Sequence, residues 1–178
     1  MEERPGHGVR MSDIAKAAGI SRQALYLHFP ARAELLIGTT RYVDEVLDVD
    51  ARLEPVRTAA TGIEHLDALI AFWGDHVPRI YGVARALMSM RDTDAAAASA
   101  WDERMDAVRE GCRAAVEAVD RDGHLSDDWT VETATDMLWA MLSVRNWEQL
   151  TAECGWTADE YVERLQRQAR LTFLKPGA

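Results

Sequence analysis

Residues 10–30 read Arg10-Met-Ser-Asp-Ile-Ala-Lys-Ala-Ala-Gly19-Ile-Ser21-Arg-Gln-Ala-Leu-Tyr-Leu-His-Phe29-Pro30, and this stretch decides the architecture. Ile14, Ala15 and Ala18 fall at helical spacing, Gly19 stops that helix, and Ser21 offers an oxygen to cap the next one. Pro30 closes the second helix, because the residue before a proline is driven out of the helical region. The spacing therefore predicts helix, tight turn, short helix. Neither piece is long enough to be stable alone, so both must pack on something else.

Outward from this stretch every segment reads as helix. A third runs from about Ala33 to Asp50, with Leu35, Leu36, Thr39, Val43, Val46 and Leu47 on its apolar face, and Pro55 marks its end. Thr61-Gly-Ile-Glu64 is a capping box that opens a helix through Leu66, Leu69, Ile70 and Trp73, which Pro78 is expected to interrupt. After the turn Arg91–Asp94, an alanine-rich helix runs to about Asp122 and stops at Gly123. A long apolar helix is expected from Thr130 to about Glu153. Gly155 ends it, and a second capping box, Thr157-Ala-Asp-Glu160, opens an amphipathic last helix. No segment shows sustained period-two alternation, so the fold class is all-α.

The 178 residues are 48% hydrophobic, 28% charged and 7% aromatic, enough to bury a core without a disulfide, metal or cofactor. Cys112 and Cys154 fit neither a disulfide framework nor a CxxC site, which points to a reducing cytoplasm. No apolar run reaches the length of about 20 residues that spans a bilayer, and the start carries no apolar segment of signal-peptide type. Membrane partners are therefore not expected.

The net charge of −10 argues against nucleic acid only if it is spread evenly. It is not. Over residues 1–41, Arg4, Arg10, Lys16, Arg22, Arg32 and Arg41 face Glu2, Glu3, Asp13 and Glu34, a net of +2, which leaves −12 for the rest. A basic head on an acidic body suggests two functional parts, of which only the head suits a polyanion.

The segment Ile14-Ala-Lys-Ala-Ala-Gly19-Ile-Ser21-Arg-Gln-Ala-Leu-Tyr26-Leu-His28-Phe29 resembles the DNA-binding helix-turn-helix of the TetR family of transcriptional regulators, as does the following Pro-x-Arg-x-Glu-Leu-Leu. The resemblance implies a helix-turn-helix domain over 1–44 and a ligand-binding and dimerisation domain over 45–178. It places Ser21, Arg22, Gln23 and Ala24 at the groove-entering end of the recognition helix, where Arg forks onto guanine and Gln onto adenine. Tyr26 and His28 resemble backbone-contacting positions, Arg32 stands where the family often has a lysine beside phosphate, and Lys16 is either a further phosphate contact or a solvated side chain. Family members begin with a helix that packs across the helix-turn-helix. Met1-Glu-Glu-Arg4 before Pro5-Gly6 resembles only its tail, so the first helix is expected to be largely missing, through a misassigned start or a truncation.

Over the body the resemblance implies a homodimer formed by the last two long helices. The stripes Ala134, Leu138, Met141, Leu142 and Tyr161, Leu165, Ala169, Thr172 meet either a second copy or the chain's own core. A dimer also suits DNA, since two recognition helices must reach major grooves about 34 Å apart or a multiple of it. Phe72, Trp73, His76, Tyr81, Met88, Trp101, Met105, Trp139 and Trp147 either line a cavity for a small, largely apolar effector or form plain core. HExxH, GxSxG, P-loop and GxGxxG patterns are all absent, so no catalytic or metal residues are expected. The reading is a dimeric regulator, a repressor, that an apolar effector releases from operator DNA. Its alternative is a dimeric small-molecule-binding protein that does not bind DNA because its head is incomplete.

Overall fold

A computed structural model describes residues 10–177, apart from the side chain of Ala33. The expectation about the first helix falls on residues 1–9, outside the described residues. Ten α-helices are described: α1 (Met11–Ala17), α2 (Arg22–His28), α3 (Arg32–Val46), α4 (Val49–Arg52), α5 (Glu54–Arg57), α6 (Gly62–Met90), α7 (Ala95–Arg121), α8 (Val131–Met141), α9 (Val144–Glu148) and α10 (Ala158–Phe173). The chain is all-α. Its described residues contain no strand, only an isolated bridge between Leu125 and Leu174.

Two compact units are present. One joins the chain up to Leu47 with Gly82–Arg104; the other joins Asp48–Tyr81 with Met105 onward. In the first, Met11, Ala15 and Leu25 form a small buried cluster, with Ile14, Phe29 and Leu35 packed against it. Gly38 allows the close approach of α3 here, since a Cβ on it would lie 2.8 Å from the Phe29 ring. In the second, α6 contributes Leu66, Ile70, Trp73 and Val77, α7 contributes Cys112, Ala115, Val116 and Val119, α8 contributes Ala134 and Leu138, and α10 contributes Tyr161, Leu165, Ala169 and Phe173. A Cβ on Gly62 would lie 2.4 Å from the backbone of Ala118 and Val119, so glycine sets how closely α6 and α7 approach. The second unit is also sewn to its own C-terminal end: Ser126 donates to the Phe173 carbonyl at 2.8 Å, and Lys175 donates to that of His124 at 2.9 Å.

The caps largely follow the sequence. Thr61 and Glu64 bond reciprocally, and Thr157 and Glu160 form the second capping box. Gly123 and Gly155 both stop their helices at φ +77°. Three elements depart from expectation. α6 runs through Pro78 because the buried side chains on either side of it, Ile70, Trp73 and Val77 before and Ala84 and Leu87 after, keep one helical period and hold the helix together. The helix expected over Ala33–Asp50 ends at Val46, and Asp48 takes a left-handed conformation (φ +48°) before α4. The helix expected over Thr130–Glu153 breaks after Met141. Ser143 caps a new start by accepting from the Asn146 amide at 3.2 Å, and Gln149–Glu153 is wound as a π-helix.

Candidate nucleic-acid interface and body site

The turn after α1 is built by backbone bonds that glycine makes possible. Ile20 donates to the Ala15 carbonyl at 3.0 Å and Gly19 to that of Lys16 at 3.2 Å, with Gly19 at φ +68°. This is the left-handed helix stop that satisfies the last carbonyls. Ser21 then caps α2, its hydroxyl accepting from the Ala24 amide at 3.0 Å. α2 is anchored by Leu25, which is buried, so the residues across the helix face solvent.

Ser21, Arg22, Gln23, Tyr26 and His28 are exposed, while Ala24 is half-buried. The structure therefore presents five of the expected recognition-helix residues on one short element. The Arg22 guanidinium lies over the Tyr26 ring, 5.3 Å from its centroid, which narrows the directions in which it can reach. Lys16 on α1 is exposed too. The sequence reading missed Leu27, 78% exposed on the same helix. Its position two residues after Leu25 was the available signal, because such a step crosses a helix.

Arg32, which the resemblance sets beside phosphate, lies at the first residue of α3 and makes its contacts within the chain. Its Nη1 pairs with Asp94 and its Nη2 donates to the Met90 sulfur at 3.2 Å. The guanidinium thus points at the turn between α6 and α7.

The aromatic residues expected around an effector form separate groups. In the second unit, Phe72 and His76 stack with centroids 5.1 Å apart, and Arg52 covers the Phe72 ring while donating to Asp75 at 2.6 Å. Bonds from Arg79 and Arg52 hold the Asp75 carboxyl below the usual carboxylate range. Tyr81 donates to Glu148 and leans on Trp147, with ring centroids 5.1 Å apart. Trp73 is buried against the core, and Met105 and Trp139 are half-buried. Met88 and Trp101 belong to the first unit, where Arg91 lies over Trp101.

Two open grooves of the second unit flank α10. One, of about 520 Å³, lies between α6 and α10 and is lined by Ala71, Gly74, Pro78, Val162, Glu163 and Gln166 among others. The other, of about 500 Å³, is lined by Met141, Leu150, Trp156, Arg164, Leu165 and Leu171 among others. Neither is lined by any of the nine expected ligand residues. Among the described residues, no group of three or more His, Cys, Asp and Glu side chains could hold a metal ion.

Of the eight residues expected at a dimer surface, Ala134, Leu138, Leu142, Tyr161, Leu165 and Ala169 are already buried within the chain. Met141 and Thr172 are half-buried. The large apolar side chains left open nearby are Met137 on α8 and Leu171, 72% exposed, on α10. Periodicity marks a buried face without saying whether the cover is the same chain or another.

A short exposed helix capped by Ser21 and held on a small helical cluster has the build of a helix-turn-helix. Residues 1–38 match the model of the bacterial regulatory proteins of the tetR family. A nucleoid occlusion factor from a Marinomonas strain is 31% identical over 74 residues, covering 35% of this chain and 38% of that protein. A second, from Shewanella woodyi, is 26% identical over 89 residues, covering 49% and 44%. The chain thus spans less than half the length of these curated relatives. Among solved structures, a transcriptional regulator from Saccharomonospora viridis in complex with choline aligns with TM-score 0.72 and 18% identity, covering 94% of this chain and 88% of that one. The ketosteroid transcriptional regulator of Mycobacterium tuberculosis aligns with TM-score 0.62 and 17% identity, covering 94% and 85%. These alignments establish the fold over nearly the whole chain.

Among the described residues, no helix is long and apolar enough to cross a membrane.

Proposed function

We propose that this protein is a DNA-binding transcriptional regulator that acts as a homodimer in the cytoplasm, as a repressor released from its operator by a small organic effector. The observation that carries the reading is the set of exposed polar and aromatic side chains at Ser21, Arg22, Gln23, Tyr26 and His28, on and capping a helix anchored by buried Leu25, in a head whose matched family consists of regulatory proteins. Polar and basic side chains on a helix narrow enough for the major groove suit base-edge reading. The test is fluorescence anisotropy of labelled DNA from the gene's own upstream region, at low and moderate salt. Binding that weakens steeply with salt supports the reading, and equal affinity for that DNA and a scrambled duplex sinks it. Replacing Arg22 or Gln23 with Ala is expected to cost about 1–3 kcal/mol of discrimination between those duplexes.

For the dimer, the open side chains Met137 and Leu171 beside the half-buried Met141 and Thr172 form the surface offered to a second copy. Leu171→Glu is expected to yield monomers in light scattering. For the effector, the stacked pair Phe72/His76 and the tilted pair Tyr81/Trp147 supply flat apolar faces beside the polar groups of Arg52 and Glu148. The choline complex and the ketosteroid regulator among the structural relatives fit a small organic ligand without choosing its class. A ligand can shift DNA affinity only by binding one state of the dimer more tightly than another.

A further inference from the structure

α3 carries the reading head, because Phe29 and Leu35 pack on the same cluster as Leu25. Three ion pairs tie α3 to the first part of α7: Arg32 with Asp94, Arg41 with Glu103, and Asp44 with Arg104. The partners are separated by 62, 62 and 60 residues, a nearly constant offset, so the two segments run parallel with ion pairs along the contact.

The first of these pairs differs from an ordinary surface contact. Arg32 and Asp94 are 27% and 19% exposed at their side chains, whereas Arg41 and Glu103 are 67% and 37% exposed. Asp94 does two jobs at once. One carboxylate oxygen accepts from the amides of Ala96 and Ala97 at 2.9 and 3.4 Å, capping α7, while the other receives Arg32. Arg32 is held at a second point by the Met90 sulfur, and its Nε is shielded from water without a hydrogen-bond partner. A guanidinium enclosed in this way, at the first residue of α3 and four positions after the end of the recognition helix, has its donors turned to the chain itself.

We propose that Arg32 is a positioning residue and not a phosphate contact: its ion pair with the capping Asp94 fixes the reading head on the α6–α7 turn. The effect on DNA rests on the DNA-reading function proposed above; the effect on the head does not. The two are therefore measured separately. Asp94→Asn is the informative variant, because asparagine caps a helix about as well as aspartate but, with its oxygen on the α7 amides, turns an uncharged NH2 donor toward Arg32 and forms no ion pair.

In the free protein, hydrogen–deuterium exchange of the α2 amides and the first turn of α3 is expected to quicken about tenfold in Arg32→Ala and in Asp94→Asn. The double variant should be no faster than either single one, since each removes the same pair. Amides of α10 serve as the fold control and should keep their rates. In the anisotropy assay both single variants should bind upstream DNA about tenfold more weakly with the wild-type salt slope. Asp94→Asn discriminates sharply here: removing a negative charge near the head would by plain electrostatics tighten binding to a polyanion. The proposal is overturned by unchanged exchange in α2 and α3. It is equally overturned by a salt slope that drops by about 0.9 in Arg32→Ala alone, the mark of a lost phosphate contact. Wild-type protein that ignores DNA would sink the regulator reading and leave the exchange measurement to decide the clamp.

Discussion

The two units spend their side chains differently. In the first unit α1 and α2 rest on a small cluster, Met11, Ala15 and Leu25, with Ile14, Phe29 and Leu35 half-covered around it, and the same unit also buries Ala84, Leu87, Ala97, Ala100 and Trp101. The second unit buries Leu66, Ile70, Val77, Cys112, Val116, Val119, Leu138, Leu142, Tyr161 and Phe173 almost completely. At roughly 1.5–3 kcal/mol per large apolar side chain buried, the second unit has far more to hold it together. α1 and α2 leave much of their surface to solvent, so they keep few side chains for their own core and lean on α3, which ion pairs tie to the start of α7. The contrast teaches that buried apolar side chains are unevenly divided between the two units.

The strongest test of that contrast is Phe173→Ala, expected to cost about 3–5 kcal/mol because a 1% exposed ring is removed from a packed site. Urea melts followed by far-ultraviolet circular dichroism should show the main transition moving to lower denaturant. Leu25→Ala is expected to cost about 2–3 kcal/mol, near the lower end for such truncations because its half-covered neighbours can relax. It should abolish DNA binding while leaving that main transition in place. If the main transition moved as far as in Phe173→Ala, the units would not be energetically distinct.

Gly19→Ala sharpens the comparison at a smaller scale. No atom lies within 4 Å of the added methyl, so the cost is that of an alanine at φ +68°, about 1–2 kcal/mol, borne by the head alone. It should appear as faster exchange in α1 and α2 with the main melt unchanged. The smallest effect concerns the two cysteines. Burial pushes the Cys112 thiol up to about 12, whereas Cys154 is exposed. Iodoacetamide should label one thiol per native chain and two in denaturant. The sign of the linkage follows: the folded thiol holds its proton where an unfolded one, near 9.0, has lost it. Stability contributed by the protonated thiol is therefore whole below pH 9.0 and declines as pH rises toward 12, and Cys112→Ala should flatten that decline.

Much of the fold was legible because its signals are local. Ser21, Thr61, Thr157, Gly19, Gly123 and Gly155 cap or stop helices through atoms within a few residues, and each does so as read. Pro78 misled because its penalty is also local, whereas the burial that outweighs it on α6 comes from other elements. The break at Ser143 was written in the sequence as a capping serine but was hidden inside a continuous apolar pattern. The recognition-helix face was legible for a related reason: a buried Leu25 fixes by helical geometry which neighbours face outward.

The sequence by itself determined the all-helical class, the stops and starts of most helices, the basic head, and the polar residues that α2 turns to solvent. These depend on short-range hydrogen bonds, backbone angles and a 3.6-residue period. Only the tertiary structure decided that Arg32 meets Asp94, that six of the eight residues in the two expected dimer stripes are buried within the chain, and that Gly82–Arg104 groups with the head. Each of those facts joins residues tens of positions apart, and a charge or an apolar stripe carries no record of the partner that folding brings to it.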